Sequence, residues 1–176
     1  MKKVVAFAGS NSEKSINKEL SVYASGLVKQ VEVSVLDLND FPLPVYGIDT
    51  ETENGIPESA QRFFDEIQGT DGIILSLAEH NGNFSVAFKN VFDWMSRIEQ
   101  KLWNNTPMLL MATSPGGRGG SSALSIAKNG FPHMGGNIVA DFSLPSFYDN
   151  FKGGSIVNEE LKETLKEAVS VFQKAL

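Results

Sequence analysis

Three short segments, each following an apolar run, hold the residues whose types and spacing could do chemistry. The first, residues 9–17, follows Val4–Ala8 and contains three serines. Hydroxyls and free amides at the start of a helix suit a phosphate, because they donate hydrogen bonds and face the positive helix end. The serines could equally be helix caps only, and this segment alone does not separate the two interpretations. The candidate phosphate ligands are Ser10, Ser12, Lys14, Ser15, Ile16 and Asn17.

The second segment, residues 78–83, follows the apolar run 72–77 and combines a carboxylate, an imidazole and amides. Such groups could hydrogen-bond the edge of a flat bound ring. An ordinary Asn-Gly turn is the alternative interpretation, and for this segment by itself it is favoured. The candidate ligands here are Ala78, Glu79, His80, Asn81 and Gly82.

The third segment, residues 114–120, follows the apolar run 107–112 and contains four glycines. Glycines permit positive φ angles and close approach of the backbone to a flat ligand, whereas flexible linkers rarely follow a buried strand. Arg118 is the only cation of the segment, and its guanidinium suits the phosphate of an incoming nucleotide. A solvated surface arginine is the alternative. The candidate ligands are Ser114, Gly116, Gly117 and Arg118.

Strand-like runs alternate with helix-like runs along the chain, which predicts parallel βαβ units with helices on both sheet faces. Polar residues alternate with Val31, Val33 and Val35, so this second strand is expected at a sheet edge. The strand-like runs are 4–8, 31–35, 72–77, 107–112 and 138–142, and the helix-like runs are 16–28, 58–67, 84–95, 121–130 and 161–176. Residues 41–57, rich in proline and glycine, are predicted to form a long loop.

These elements predict an α/β fold with a five-stranded parallel sheet in the order 2-1-3-4-5. The whole chain, residues 1–176, is expected to be a single domain with one core. Ligands of such sheets bind beyond the carboxyl ends of the strands, near the switch point between strands 1 and 3. The loops after strands 1, 3 and 4 should therefore meet in one site.

Composition excludes several classes of function. The formal net charge is -6 without basic clusters, so neither nucleic acid nor an anionic membrane is an expected partner. The absence of cysteine excludes disulfides, thiolate chemistry and cysteine-ligated metal centres, and two histidines are too few for a metal site. No apolar run approaches the roughly 18 residues that cross a bilayer. The run after Met1-Lys2-Lys3 is too short for a signal peptide, so a cytoplasmic location is expected.

The three segments and one helix together resemble the NADPH-dependent FMN reductase family over nearly the whole chain. The matching residues are Gly9, Ser10, Ser15 and Asn17 in a G-S-x-R-x-x-S-x-N loop; Glu79 and Asn81 in a P-E-Y-N loop; Lys89, Asn90, Asp93, Trp94, Ser96 and Arg97 in a K-N-x-x-D-W-x-S-R helix; and Ser114, Gly116, Gly119 and Gly120 in a glycine-rich loop. The positions that differ from the family's usual arginine, proline, tyrosine, proline and glycine are Ser12, Ala78, His80, Ser85 and Val86.

The resemblance implies a flavodoxin-like three-layer sandwich that binds FMN and uses NADPH or NADH as co-substrate. The expected electron acceptor is a small molecule such as a quinone, an azo dye, a metal ion or a flavin. The expected assembly is a homodimer or homotetramer, in which the apolar loop Phe41–Tyr46 could meet a neighbouring subunit. Trp94 is expected in the core or at that interface, and His133 is expected to be structural. No catalytic side chain is predicted, because the cofactor itself does the chemistry.

Two other functions remain open at this point. A flavodoxin-type electron carrier without nicotinamide turnover suits the acidic charge, but its T-x-T-G-x-T phosphate loop is missing. A flavin-free signalling or interaction module could share the fold, although a receiver domain needs an acidic pair where Gly9-Ser10 stands. Fold alone does not decide among the three.

Overall fold

The computed structural model describes residues 1–176 and contains a five-stranded, wholly parallel sheet. Its strands are β1 (Lys2–Gly9), β2 (Val31–Leu36), β3 (Gly72–Leu77), β6 (Pro107–Thr113) and β7 (Asn137–Leu144). Two hairpins lie outside this sheet and pair β4 (Glu79–His80) with β5 (Asn83–Phe84) and β8 (Phe151–Lys152) with β9 (Ser155–Ile156). The order β2-β1-β3-β6-β7 confirms the predicted order 2-1-3-4-5, with β2 at an edge.

Seven α-helices connect or follow these strands. They are α1 (Ile16–Ser25), α2 (Ile48–Asn54), α3 (Glu58–Gln68), α4 (Val86–Ile98), α5 (Ser121–Gly130), α6 (Phe147–Asn150) and α7 (Glu159–Ala175). Side-chain caps explain where three of them begin, because a cap oxygen satisfies an amide of the first turn. Ser15, Ser85 and Asn158 accept from the backbone N–H groups that begin α1, α4 and α7. No helix is both long enough and apolar enough to cross a bilayer.

The central strands bury both of their faces, which is why their sequences are continuously apolar. In β1, Val5 and Phe7 join one core cluster, whereas Val4 and Ala6 join the other. The first cluster packs α3, α4 and α5 against the sheet, and the second packs α1 and α7 against the opposite face. The edge strand β2 lacks a fully buried residue, as its alternating sequence predicts.

The predicted long loop 41–57 is wrong in part, because α2 lies within it. This helix has no buried residue, so its sequence shows no apolar period to detect. Its first turn carries Asp49 and Glu51, which interact favourably with the positive helix end. Two predicted helices also extended too far: α1 ends at Ser25 rather than 28, and α4 begins after Phe84, which belongs to β5.

Candidate functional site

The loops after β1, β3 and β6 meet at one sheet edge around a cavity of about 190 Å³. This is the switch point between β1 and β3, where ligands of doubly wound sheets bind. The predicted ligands that line the cavity are Ser10, Ser12, Lys14, Ser15, Ile16, Asn17, Ala78, Glu79, His80 and Ser114. Thr113, Pro115 and Tyr148 complete its lining. The structure thus brings together residues from all three predicted segments.

The segment after β1 presents hydrogen-bond donors to this cavity. The backbone N–H groups of Ile16 and Asn17, at the start of α1, have no acceptor within the chain. Ser15 Oγ accepts from Lys18 N at 3.2 Å, so its own proton is left to donate. Lys14 is exposed, whereas the nearby Lys18 forms a salt bridge to Asp37. Donors at a positive helix end fit a phosphate group, and these residues could hold the phosphate of FMN.

The side chain of Asn17 forms hydrogen bonds within the protein. Its buried Oδ1 accepts from Ser76 Oγ at 2.7 Å and from Thr113 N at 3.0 Å. Its Nδ2 donates to Thr113 O at 3.2 Å. The side chain therefore joins α1 to β3 and β6, and the backbone N–H of Asn17 has no acceptor within the chain.

Glu79 likewise uses its carboxylate inside the protein. Its Oε2 accepts from Ser122 N at 2.8 Å and from Ala123 N at 3.2 Å. The cap position of α5 is Gly120, which has no side chain, so Glu79 satisfies the first amides of this helix from a distance. The carboxylate thereby ties the loop after β3 to the helix after the glycine-rich segment.

Asn81 and Gly82 form the turn between β4 and β5 and do not line the cavity. Their φ angles are 53° and 76°, the positive values that a two-residue hairpin turn requires. His80, on the same hairpin, is exposed and lines the cavity. Of this segment, residues 78–80 thus form the wall of the site.

The glycine-rich segment contains two glycines that packing requires and two that leave open space. A Cβ on Gly119 (φ 57°) would lie 2.3 Å from Ser143 Oγ, and one on Gly120 (φ 74°) would lie 2.9 Å from Ala112 Cβ. Gly116 and Gly117 have negative φ and nothing closer than 4.0 Å.

Three hydrogen bonds, one of them from a side chain, hold the glycine-rich segment in place. Ser146 N donates to Gly116 O at 2.9 Å, Phe147 N donates to Ser114 O at 3.0 Å, and Ser143 Oγ donates to Gly119 O at 2.9 Å. These contacts come from the end of β7 and the start of α6, so the segment is not a flexible linker. Arg118 is exposed outside the cavity, where it donates to Ser122 Oγ.

Tyr148 is a lining residue that sequence reasoning missed. It lies on α6, directly after β7, with 65% of its surface exposed. The site predicted from the sequence comprised only the loops after strands 1, 3 and 4. A usable signal existed, since the fifth parallel strand ends at the same edge of the sheet and an aromatic residue follows it.

The residues of α4 that match the family's helix motif hold the loop before α2 in place. Trp94 is fully buried, which confirms its expected place in the core, and its Nε1 donates to Pro44 O at 2.8 Å. Asn90 Nδ2 donates to the same carbonyl at 3.0 Å, and Asn90 Oδ1 accepts from Tyr46 N at 2.8 Å. Arg97 Nε donates to Glu51 at 2.9 Å. A second cavity, of about 440 Å³, lies between this loop and α4 and shares His80 with the first.

A salt bridge between Lys18 and Asp37 links α1 to the chain after β2. The hydrogen bond from the Lys18 ammonium lowers the pKa of the Asp37 carboxyl below its usual value. Because the pKa of Asp37 is lower in the folded protein, its salt bridge stabilises the fold at pH values above the ordinary carboxyl pKa. This stabilisation is lost as the pH falls through the lowered pKa. The Asp37 carboxylate also accepts from Asn39 N, and Asn39 Nδ2 donates to Asn11 O at 3.1 Å, which ties this turn to residues 9–17.

The sheet order and the donor-lined helix start define a flavodoxin-like nucleotide-binding fold. The chain belongs to the NADPH-dependent FMN reductase family, whose model matches residues 2–149. This assignment confirms the resemblance seen in the sequence, and it agrees with FMN as cofactor and a reduced nicotinamide as co-substrate.

Three relatives illustrate the similarity. A quinone reductase of Pseudomonas putida is 31% identical over 122 residues, which is 68% of this chain but only 64% of that protein. A 2-hydroxy-1,4-benzoquinone reductase of a Burkholderia species is 26% identical over 93% of this chain and 90% of the relative. The structure of FerB, a flavoenzyme NAD(P)H:(acceptor) oxidoreductase of Paracoccus denitrificans, superposes with a TM-score of 0.77 at 28% identity, covering 99% and 96% of the two chains.

Asn17→Ala is expected to destabilise the fold, because Ser76 and both backbone groups of Thr113 lose their buried partner. Leaving such groups unsatisfied costs about 1–3 kcal/mol. Thermal unfolding should show a Tm lower by roughly 2–4 °C for each kcal/mol. The control is Asn54→Ala, which removes an exposed bond within α2 and should leave Tm nearly unchanged. Equal Tm values for both variants would contradict the structural role of Asn17.

Gly119→Ala should destabilise the protein more than Gly117→Ala. The first substitution meets Ser143 and the backbone of Leu144 at a positive φ, whereas the second meets open space. A strained backbone conformation of this kind costs about 1–3 kcal/mol. Urea unfolding of the two variants measures the difference. Equal midpoints would show that the segment relaxes freely and is not held by β7.

Proposed function

We propose that this protein is an FMN-dependent NAD(P)H oxidoreductase, which passes electrons from NADPH or NADH through bound FMN to a small acceptor. The observation that supports it most is the donor-lined start of α1, placed between the loops after β3 and β6. The relatives named above suggest a quinone as acceptor, with azo dyes, metal ions and flavins as further candidates. Residues 1–176 form one FMN-binding domain in this proposal. Its location is the cytoplasm, where reduced nicotinamides are available.

The chain's own groups bind and orient in this mechanism. The hydroxyls of Ser10, Ser12 and Ser15 would donate hydrogen bonds to the FMN phosphate, and the first amides of α1 would add their dipole. Lys14 supplies positive charge. FMN, when bound, supplies the capacity to accept a hydride and release electrons. Because the glycine-rich segment is already held in place by hydrogen bonds, it would lose little conformational entropy when FMN binds.

One experiment separates this proposal from its two alternatives. The purified full chain is loaded with FMN, its visible spectrum is recorded, and it is titrated with NADPH and NADH in the presence of a quinone. A yellow protein that oxidises nicotinamide supports the reductase. A yellow protein without turnover supports a flavodoxin-type carrier. A colourless protein that cannot be loaded supports a flavin-free module and overturns the proposal.

Ser15→Ala should weaken FMN binding about ten- to hundredfold, since a hydrogen bond to a charged group contributes about 1.5–3 kcal/mol. The variant also loses the cap of α1, so a matched cap variant is needed. Asn158→Ala removes the cap of α7, which lies outside the cavity. It should lower stability and leave the FMN dissociation constant unchanged. An unchanged constant in Ser15→Ala would exclude a phosphate contact by this hydroxyl.

We also propose that Arg118 contacts the incoming nucleotide, including the 2′-phosphate that distinguishes NADPH from NADH. Arg118 is an exposed cation on the glycine-rich segment, and it does not line the cavity of about 190 Å³. A guanidinium binds a phosphate through paired hydrogen bonds.

Arg118→Ala should therefore slow the reduction of bound FMN by NADPH, or raise its apparent dissociation constant about tenfold or more. Stopped-flow measurements with each nicotinamide test this, and the FMN content must stay at the wild-type level. If Arg118→Ala reacts with both nicotinamides as the wild-type protein does, Arg118 takes no part in nucleotide recognition. Loss of FMN would instead place it at the flavin.

The assembly is proposed to be a homodimer or homotetramer that uses the loop after β2 and the start of α4. Val45 and Val86 are 75% and 73% exposed and line the same cavity of about 440 Å³. Ile48, at the start of α2, is 60% exposed. Burial of such apolar side chains by a second copy of the chain is favourable.

Sedimentation should accordingly detect at least a dimer at micromolar concentration, and Val86→Glu should shift it towards monomer. A charged residue at the centre of an apolar contact remains without a partner when it is buried. The control is Val171→Glu on α7, a valine that is 48% exposed outside this region. A wild-type protein that sediments as a monomer would refute the interface.

A further inference from the structure

The second cavity, of about 440 Å³, has a mostly apolar lining between the loop before α2 and helix α4. Its lining includes no aspartate, glutamate, lysine or arginine. Small-molecule sites are typically clefts of about 300–1,000 Å³ with an apolar lining and a few placed polar groups. The second cavity therefore has the size and the lining of a site for an uncharged, mainly apolar ligand.

His80 is the only ionisable side chain that lines the second cavity. Three of the other polar residues there, Ser85, Asn39 and Asn90, already bond other groups of the chain. The exposed imidazole of His80 bonds none of them, and the side-chain amide of Asn11 is free as well. A ligand in the second cavity thus meets two free hydrogen-bonding side chains, of which one can also transfer a proton.

His80 is also the only residue that lines both cavities. Residues 78–80 form a wall of the smaller cavity, where the edge of the flavin ring is expected. The other ionisable residues of that cavity are Lys14, Glu79 and Tyr148, and none of them lines the second cavity. The carboxylate of Glu79 is used to hold the start of α5. His80 therefore stands between the expected place of the flavin and the apolar space beside it.

We propose that the second cavity binds the ring of a quinone and that His80 gives a proton to one of its carbonyl oxygens. The inference rests on the proposed function, because it requires bound FMN on the other side of His80. An uncharged quinone buries a flat apolar ring and presents two carbonyl oxygens as acceptors. A metal ion or a free flavin would bring charge into a lining that has no carboxylate, lysine or arginine to pair with it.

Reduction of a quinone to its hydroquinone takes up two electrons and two protons. The hydride supplied by NADPH or NADH carries both electrons and one proton through the bound cofactor to the quinone. The second proton comes from the His80 imidazolium, whose N–H bond breaks as an O–H bond forms on the carbonyl oxygen. The neutral imidazole then takes a proton from water, to which His80 is exposed.

The quinone and a second copy of the chain use different parts of this lining. Val45 and Val86, which belong to the proposed contact between copies, are 75% and 73% exposed, whereas Leu38, Ser85 and Val91 are buried. A copy packed on the two valines would cover the opening and leave the buried part of the lining to the quinone. Exclusion of water by that copy would strengthen the hydrogen bond from His80.

Acceptor kinetics of the FMN-loaded full chain test the proton transfer. A quinone is compared with ferricyanide, which takes up one electron and no proton. His80→Phe keeps a flat ring but has no proton to give, so the kcat/KM for the quinone should fall about a hundredfold relative to that for ferricyanide. His80→Tyr restores a donor and should keep this ratio within about tenfold of the wild-type value. The control is His133→Phe, which changes the other histidine, outside both cavities, and should leave the ratio unchanged.

Calorimetric titration of the oxidised, FMN-loaded protein with a quinone, without any nicotinamide, tests the cavity itself. Ala87→Phe adds a ring to the lining of the second cavity and should weaken quinone binding about tenfold or more. Ala175→Phe makes the same change at the exposed end of α7, outside the cavity, and should bind the quinone as the wild-type chain does. Visible spectra establish that the compared proteins carry equal amounts of FMN.

Three results would overturn the inference and leave the reductase intact. An unchanged ratio in His80→Phe shows that His80 is not the proton donor, and an equal fall for both acceptors shows that it acts on the flavin. Wild-type affinity of Ala87→Phe for the quinone places the ligand elsewhere. A wild-type chain that reduces ferricyanide but no quinone excludes the quinone as acceptor. If the chain binds no FMN, or oxidises nicotinamide with neither acceptor, the proposed function fails and the inference fails with it.

Discussion

The buried side chain of Asn17 makes the interaction on which the geometry of the site depends. Its three hydrogen bonds join the start of α1 to the middle of the sheet, at β3 and β6. The loops that follow these two strands form the rest of the cavity wall. Because hydrogen bonds in a water-excluded interior are strong and costly to leave unmade, the donors at α1 are held at a constant position relative to those loops.

The loops themselves are tied to one another by polar groups that face inward. Glu79 connects the loop after β3 to α5, and Ser143 connects β7 to the glycine-rich segment. Asn39 connects the chain after β2 to Asn11 in the segment after β1. A site whose groups are already ordered loses less conformational entropy when a ligand binds. Much of the polar character of these loops therefore builds the site, and backbone amides and hydroxyls are left to contact the ligand.

The sheet could be predicted from the sequence because buried parallel strands are continuously apolar and their order follows from the position of the edge-like strand. Helix α2 could not be predicted in the same way, since it buries no side chain and so has no periodicity. The Asn-Gly turn of hairpin β4–β5 was indicated by the sequence, but its strands were not, because each is only two residues long. Topology alone was enough to bring the three loops together.

The direction of individual side chains was beyond sequence reasoning. The partners of Asn17 lie 59 and 96 residues away in the chain and those of Glu79 lie 43 and 44 residues away, so these bonds leave no local signal. The family motif on α4 shows the same limit. A matching sequence does not distinguish a residue that contacts the ligand from one that forms hydrogen bonds within the protein. Asn90 and Trp94 bind the carbonyl of Pro44 and stabilise the loop that borders the second cavity.

Ser12, where the family commonly has arginine, leaves the proposed phosphate site with one positive charge fewer. Lys14 is the only lysine or arginine that lines the cavity, so the positive end of α1 must balance much of the charge of a bound phosphate.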